Sequence, residues 1–224
     1  MEHGDLLGGV ERLKAFLGRK PLTTAIAELE GQLNGASSAD LSRIVGNSGV
    51  DPSLLEAAVT VRRNLGRVND LIHATAIVLL LPQVLVAGES VTNRPSLASG
   101  NDPSRPFDLE TNLRVAEFKL SRWTGADAMR KRQTFKDLVH LAADPSDRKA
   151  QLFIVGDAPI RFLRTSRSKA AWALDRSPRT ASLFESQFGS LDLPIKEFTT
   201  GLAHHVEIVD IGELLPEAVV RSEL

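Results

Sequence analysis

A chain of 224 residues with 42% apolar side chains can bury the core of one sizeable domain, or of a core domain with a smaller appendage. It contains no cysteine, which excludes disulfides, thiolate zinc sites, iron–sulfur clusters and cysteine nucleophiles, and leaves oxygen and histidine as donors for any metal. The net charge of −1 gives no hint of a nucleic-acid partner, but residues 114–179 carry 15 Lys and Arg against 7 acids, a net of +8 that leaves −9 on the remainder.

Residues 1–47 read as three short helices, DLLGGVERLKAFLG, PLTTAIAELEGQL and SADLSRIVG, each ended by glycine or proline. They are expected to form a helical N-terminal appendage, hinged at GNSG (46–49), through which the chain forms a homo-oligomer or meets a protein partner. The first residues are charged where a signal peptide needs an apolar run, and the longest apolar patch, ATAIVLLL (74–81), falls far short of the ~20 residues of a membrane span. The expectation is a cytoplasmic protein with no membrane contact.

Residues 48–224 are read as the second domain. Asp51 followed by Pro52 supplies a helix N-cap and a first-turn proline, opening a long helix to about Leu81 that Pro82 closes. QVLVAGESV (83–91) reads as a strand and the turn-rich TNRPSLASGNDPSRP (92–106) as a loop or a short second limb. RPFDLETNLRVAEFKL (105–120) reads as a strand, a turn and a second strand. Thr124 and Asp127 form a capping box opening a helix to about Ala143, with Ala128, Phe135, Leu138, Val139 and Ala142 on one face. QLFIVGD (151–157) is a buried strand. Beyond it, PIRFLRTS, SKAAWALD and TASLFESQF are helical pieces, followed by a strand HVEIVDI and a terminal GELLPEAVV, read together as an accessory sub-domain.

The hairpin carries the chemistry. With the turn at Thr111 and Asn112, Glu110 opposes Leu113 and Asp108 opposes Val115, so alternation puts Asp108, Val115, Glu117 and Lys119 on one face. Phe107, Leu109, Ala116, Phe118 and Leu120 share the other, apolar face. Asp108 and Glu117 then lie diagonally across the strands, ~7–8 Å apart at the backbone, within reach of one divalent ion. An acid-x-lysine tripeptide alone carries no weight, since Asp147-Arg148-Lys149 has the same spacing in a polar turn. The apolar strand and the facing Asp108 distinguish Glu117 and Lys119.

Phe107-Asp108, eight residues, then Glu117-Phe118-Lys119, within a helix-strand-strand-strand-helix-strand order, resembles the PD-(D/E)XK superfamily, the restriction-endonuclease-like fold of many phosphodiesterases acting on DNA. The likeness covers roughly residues 51–157; Phe107 stands where the family has proline, with Pro106 adjacent. It implies an α/β fold with an αβββαβ core, its mixed sheet flanked by helices, in which Asp108, Glu117 and the Phe118 carbonyl hold Mg²⁺ or Mn²⁺. Lys119 would orient or help deprotonate the attacking water. Family members often add a metal-site acid from the helix before the sheet, which makes Asp70 the candidate there, although Asn69, Asp70 and His73 also read as a hydrogen-bonded polar helix face.

Gln133 resembles a glutamine that some relatives carry on the helix after the motif, but the helical wheel sets it opposite the apolar face and assigns it to solvent. Lys131 and Arg132 flank that face and are placed to reach a substrate. Arg161, Arg164, Arg167 and Lys169, in the basic half, are candidates for phosphate contact. The histidines show no metal spacing, and the serine-hydrolase, P-loop, dinucleotide and zincin motifs are absent from the sequence. Two functions stand open: a metal-dependent nuclease acting on nucleic acid, DNA above all, and a catalytically inactive module of the same fold that binds a protein or nucleic acid.

Overall fold

A computed structural model of the chain describes residues 6–18, 20–33, 38–66, 68–93, 95–97, 107–120, 123 and 127–215. The expected Thr124 cap, most of the 92–106 loop and the end of GELLPEAVV lie outside these residues. The chain divides into two compact units, 1–68 and 69–224.

The first unit holds α1 (Leu6–Leu17), α2 (Leu22–Leu33), α3 (Ser38–Ser48) and α4 (Pro52–Leu65). Asp51 caps α4 as expected, its carboxylate accepting the Leu54 N–H at 2.7 Å and the Arg12 guanidinium of α1 at 2.8 Å. Hydrogen bonds from Ser53 and Leu54 and the Arg12 charge lower Asp51 to about 2 against a small opposing effect of burial. Gly9 is the close-approach point: a Cβ there would meet the Val61 side chain at 3.3 Å and the Ala57 backbone at 3.5 Å. This packing of α1 on α4 moves the boundary from the expected 47/48 to 68/69. The single long helix expected from 51 to 81 is thus two segments, α4 and α5 (Val68–Val84), assigned to different units.

In the second unit α5 runs past Pro82 to Val84 because tertiary packing outweighs the local stop signal. Ala76, Ile77 and Leu80 are buried against the sheet, with Leu81, Val84 and Leu85 packed beside them. The run Pro52–Val84 matches a membrane span by length and composition alone; within α5 its buried residues Ala76, Ile77 and Leu80 pack in the sheet's core.

The sheet has the order β1 (Leu109–Glu110), β2 (Arg114–Lys119), β3 (Lys149–Ile154) and β4 (Glu207–Asp210). β1 pairs antiparallel with β2, while β2, β3 and β4 run parallel, which makes the sheet mixed and the fold α/β. The expected strand 83–91 is mostly absent: its first residues end α5, and only Val91 bridges Thr111, after which Thr92 and Ser96 donate to the Glu110 and Asp108 carbonyls. The expected accessory sub-domain is not separate. β4 extends the same sheet, and α7 (Asp157–Thr165), α8 (Ala170–Leu174) and α9 (Pro178–Phe188) pack into the same core.

Both faces of β2 and β3 are covered, as a parallel sheet requires. Ala116, Phe118, Phe153 and Val155 face α5; Val115, Ala150, Leu152 and Ile154 face α6 (Ala128–Ala142) and the helices behind it, where Phe135, Phe184 and Phe198 cluster with ring centroids 4.9–6.3 Å apart. At the end of β3, Gly156 takes φ +79°, and the Asp210 carboxylate accepts its N–H at 2.9 Å, tying the turn into α7 to β4.

Candidate functional site

The hairpin register differs from the expected one by two residues. Leu109 pairs with Ala116 and Glu110 with Val115, so the tight turn is Asn112-Leu113. Thr111 sets it: its N–H donates to the Arg114 carbonyl at 2.9 Å, and its hydroxyl accepts the Leu113 and Arg114 N–H groups at 3.1 and 2.8 Å. A shift of two preserves the face of every side chain, whereas a shift of one would have inverted it. Asp108 therefore stands directly across from Glu117 rather than diagonally, where opposed residues approach most closely.

At this end of β2 the polar groups converge. Asp108 accepts the Phe118 N–H at 2.9 Å, replacing the ladder bond that β1 has become too short to provide. The Phe118 N–H and C=O both point from β2 toward the Asp108 side, as strand geometry dictates. The Lys119 ammonium lies 3.0 Å from Glu117 Oε2 and 2.8 Å from Asp137 Oδ2. Glu110, the third acid of the hairpin, is taken by Arg148 at 3.1 Å and Asn93 at 3.1 Å and stands apart from this group.

Asp137, on α6, was not singled out by the sequence reading. It is 5% exposed, and the Gln133 amide donates to its two oxygens at 3.0 and 3.2 Å. Gln133 is exposed as expected, yet its amide belongs to this cluster and not to solvent alone. The wheel was centred on the wrong face: Thr134, Asp137 and Leu141 are buried with the apolar residues, so the covered arc rotates until Gln133 lies on its rim. An acid within a helix so deeply covered was the available signal. Asp127 caps α6 by accepting the Arg130 N–H at 2.9 Å.

From α5, His73 approaches Asp108, with Nε2 3.9 Å from Oδ2. Its Nδ1 lies 3.0 Å from the Leu97 carbonyl, which can only accept, so Nδ1 donates there and Nε2 is the nitrogen turned toward Asp108. Asp70, the expected helix acid, is half-buried in the first turn of α5.

Burial dominates the electrostatics. It raises Asp108 and pushes Glu117 up to about 8; Lys119 offsets part of this, and Asp137 adds to it in both cases. Burial pulls Lys119 down, but Asp137, Glu117 and Asp108 more than compensate and hold it above the ordinary lysine value. Three carboxylates facing one ammonium form a site short of positive charge. Its oxygen-only carboxylate donors suit a hard divalent cation. In the present arrangement Glu117 and Asp137 turn to Lys119, and among the described residues no three His, Asp or Glu side chains form a ready metal-binding group.

The basic candidates separate into two kinds. Arg132 stacks on Trp172 at 4.9 Å and pairs with Asp175 at 3.0 Å, Lys131 lies over the Phe162 ring at 5.8 Å, Arg161 pairs with Asp157, and Lys169 pairs with Asp192 at 2.8 Å. Arg164 and Arg167 are exposed and have no carboxylate within ion-pair distance among the described residues. Compared with protein-family models, with curated proteins and with solved structures, the chain matches none.

Proposed function

We propose that residues 69–224 form a restriction-endonuclease-like domain of the PD-(D/E)XK type, and that the chain is a metal-dependent phosphodiesterase acting on nucleic acid, DNA first among its substrates. The observation that carries the reading is the meeting of Asp108, Glu117 and Lys119 on one face of the hairpin, with the ammonium 3.0 Å from Glu117. The succession α5, a bridged segment, β1, β2, α6 and β3 supports it.

Asp108 and Glu117, with the Phe118 carbonyl, would hold Mg²⁺ or Mn²⁺. Such an ion supplies neutralisation of the phosphodiester and lowers the pKa of water bound to it. Asp108 is fixed for this by the Phe118 N–H. Lys119 remains an ammonium beside the acids and so serves as a cation that orients the attacking water and the phosphate oxygen, not as a base. The exposed Arg164 and Arg167 offer phosphate contacts along the substrate.

The test is incubation of the full chain with linear, circular and single-stranded DNA and with RNA, in Mg²⁺, in Mn²⁺ and in chelator. Metal-dependent cleavage that Lys119→Ala reduces to a small residual rate is the expected result. No hydrolysis of any substrate, or full activity in Lys119→Ala, would overturn the proposal in favour of a binding module.

A further inference from the structure

We propose that Asp137 is a positioning residue for Lys119, holding its ammonium over the hairpin acids when Glu117 is engaged elsewhere; the inference rests on the hydrolytic reading above. Lysine is a flexible stem ending in three donors, so its partners decide where Nζ points. Two carboxyl groups hold it: Glu117 at 3.0 Å, from the same strand, and Asp137 at 2.8 Å, from α6.

The two anchors differ in what else they must do. Glu117 directly faces Asp108 and is the acid that a bound cation would claim, and an oxygen given to a cation is a poorer acceptor for an ammonium. Asp137 is braced on the other side. Gln133 donates to both its oxygens, and its helix is locked by Phe135, Leu138, Val139 and Leu141, all fully buried. Asp137 therefore keeps its hold while Glu117 changes partner. It acts on water and phosphate only through Lys119.

The wild-type chain, Asp137→Asn, Asp137→Ala, Lys119→Ala and the double variant Lys119→Ala/Asp137→Ala are compared by kcat and KM on a short labelled DNA, and by Mn²⁺ affinity from electron paramagnetic resonance. Asp137→Ala should lose about 100-fold in kcat, of the size a misplaced orienting cation costs, with KM and Mn²⁺ affinity unchanged. Asp137→Asn, which keeps the shape and a neutral acceptor, should fall between. In the Lys119→Ala background Asp137→Ala should cost nothing more, because a residue acting through another has no effect once that other is gone. A loss of Mn²⁺ affinity of about 10-fold or more would make Asp137 a metal ligand or its support instead, and additive losses would make it independent of Lys119; either outcome overturns the inference.

A readout free of turnover is the Lys119 ammonium signal in nitrogen-15 NMR with Mg²⁺ present. A held ammonium gives a resolved signal in the wild type that disappears in Asp137→Asn; its persistence there sinks the proposal, also where Asp137→Ala does not fold. A wild type that cleaves nothing defeats the hydrolytic reading alone, since the NMR comparison still decides whether Asp137 holds the lysine.

Discussion

The Asp108 carboxylate accepts the Phe118 backbone N–H at 2.9 Å, so one side chain both completes the hairpin ladder and faces Glu117. These two roles can be separated. Asp108→Asn keeps an acceptor for the N–H and removes a charge that burial disfavours. The metal-free variant should therefore be as stable as wild type or more so at pH 8, while metal binding and cleavage are lost. Asp108→Ala should lose all three, with a stability cost of about 1–3 kcal/mol for the orphaned N–H. Melting curves in chelator, beside activity in Mg²⁺, check both; an Asp108→Asn chain less stable than Asp108→Ala would refute the hydrogen-bond role.

Stability should also depend on pH through Glu117. A carboxyl raised from 4.5 to about 8 on folding binds more protons in the folded than in the unfolded chain between those values. Its contribution is full below about pH 4.5 and is lost as pH climbs toward 8. Asp108, also raised by burial, acts in the same sense. His140, lowered by burial, works oppositely, adding stability as pH rises toward 6.5, so total stability is a poor readout. The comparison to make is with Glu117→Gln, which should gain on the wild type progressively from pH 4.5 to 8 in chelator, by a few kcal/mol at most. Divalent cation should close the gap at pH 8, and a gap independent of pH would show that Glu117 is not the strained group.

The sequence revealed the site's face but not its closure. Alternation in VAEFKL assigns Glu117 and Lys119 to one side whatever the turn does, and the two-residue error in register left that assignment intact because the pleat repeats every two residues. The turn itself escaped because the Thr111 hydroxyl, and not its backbone position, organises it. QVLVAGESV has strand-like composition, yet α5 keeps its first residues by packing Leu81 and Val84 on the sheet. Asp137 and His73 reach the acids from α6 and α5 through tertiary placement, which local periodicity does not encode. The last strand was legible by composition, but its membership of the main sheet depends on parallel pairing with β3, a long-range choice.

At the opposite end of β2 a buried ion pair secures the hairpin. The side chains of Arg114 and Glu89 are 7% and 0% exposed, and Glu89 also accepts the Thr111 hydroxyl at 2.6 Å. Burial raises Glu89, but Arg114, Thr111 and the Val86 N–H outweigh it and bring it to about 2. Glu89→Ala leaves a buried guanidinium without its anion and should cost ~3–5 kcal/mol in urea denaturation, whereas replacing both residues by apolar ones should recover most of that loss. A single-variant cost below about 1 kcal/mol would mean the pair is not buried in solution.

The basic half makes a prediction that discriminates among its own arginines. Each phosphate contact releases condensed counterions, so log affinity for duplex DNA should fall with log salt by roughly 0.9 per contact. Arg164 and Arg167, exposed and without a carboxylate partner among the described residues, have charge to offer a phosphate. Arg161 and Lys169 face Asp157 and Asp192, so each contact they make must first displace an anion. Arg164→Gln and Arg167→Gln should each flatten the salt slope by about one unit and weaken binding to all sequences alike, because phosphate contacts position without reading bases. Arg161→Gln and Lys169→Gln should change it less. Mn²⁺ affinity at the hairpin acids should be the same in all four. Titration of a labelled duplex at several salt concentrations, in Ca²⁺ to hold off cleavage, measures the slopes. Equal slopes across the wild type and all four variants would remove this segment from the nucleic-acid surface, while a larger effect from Arg161 than from Arg164 would mean that DNA displaces the Asp157 pair.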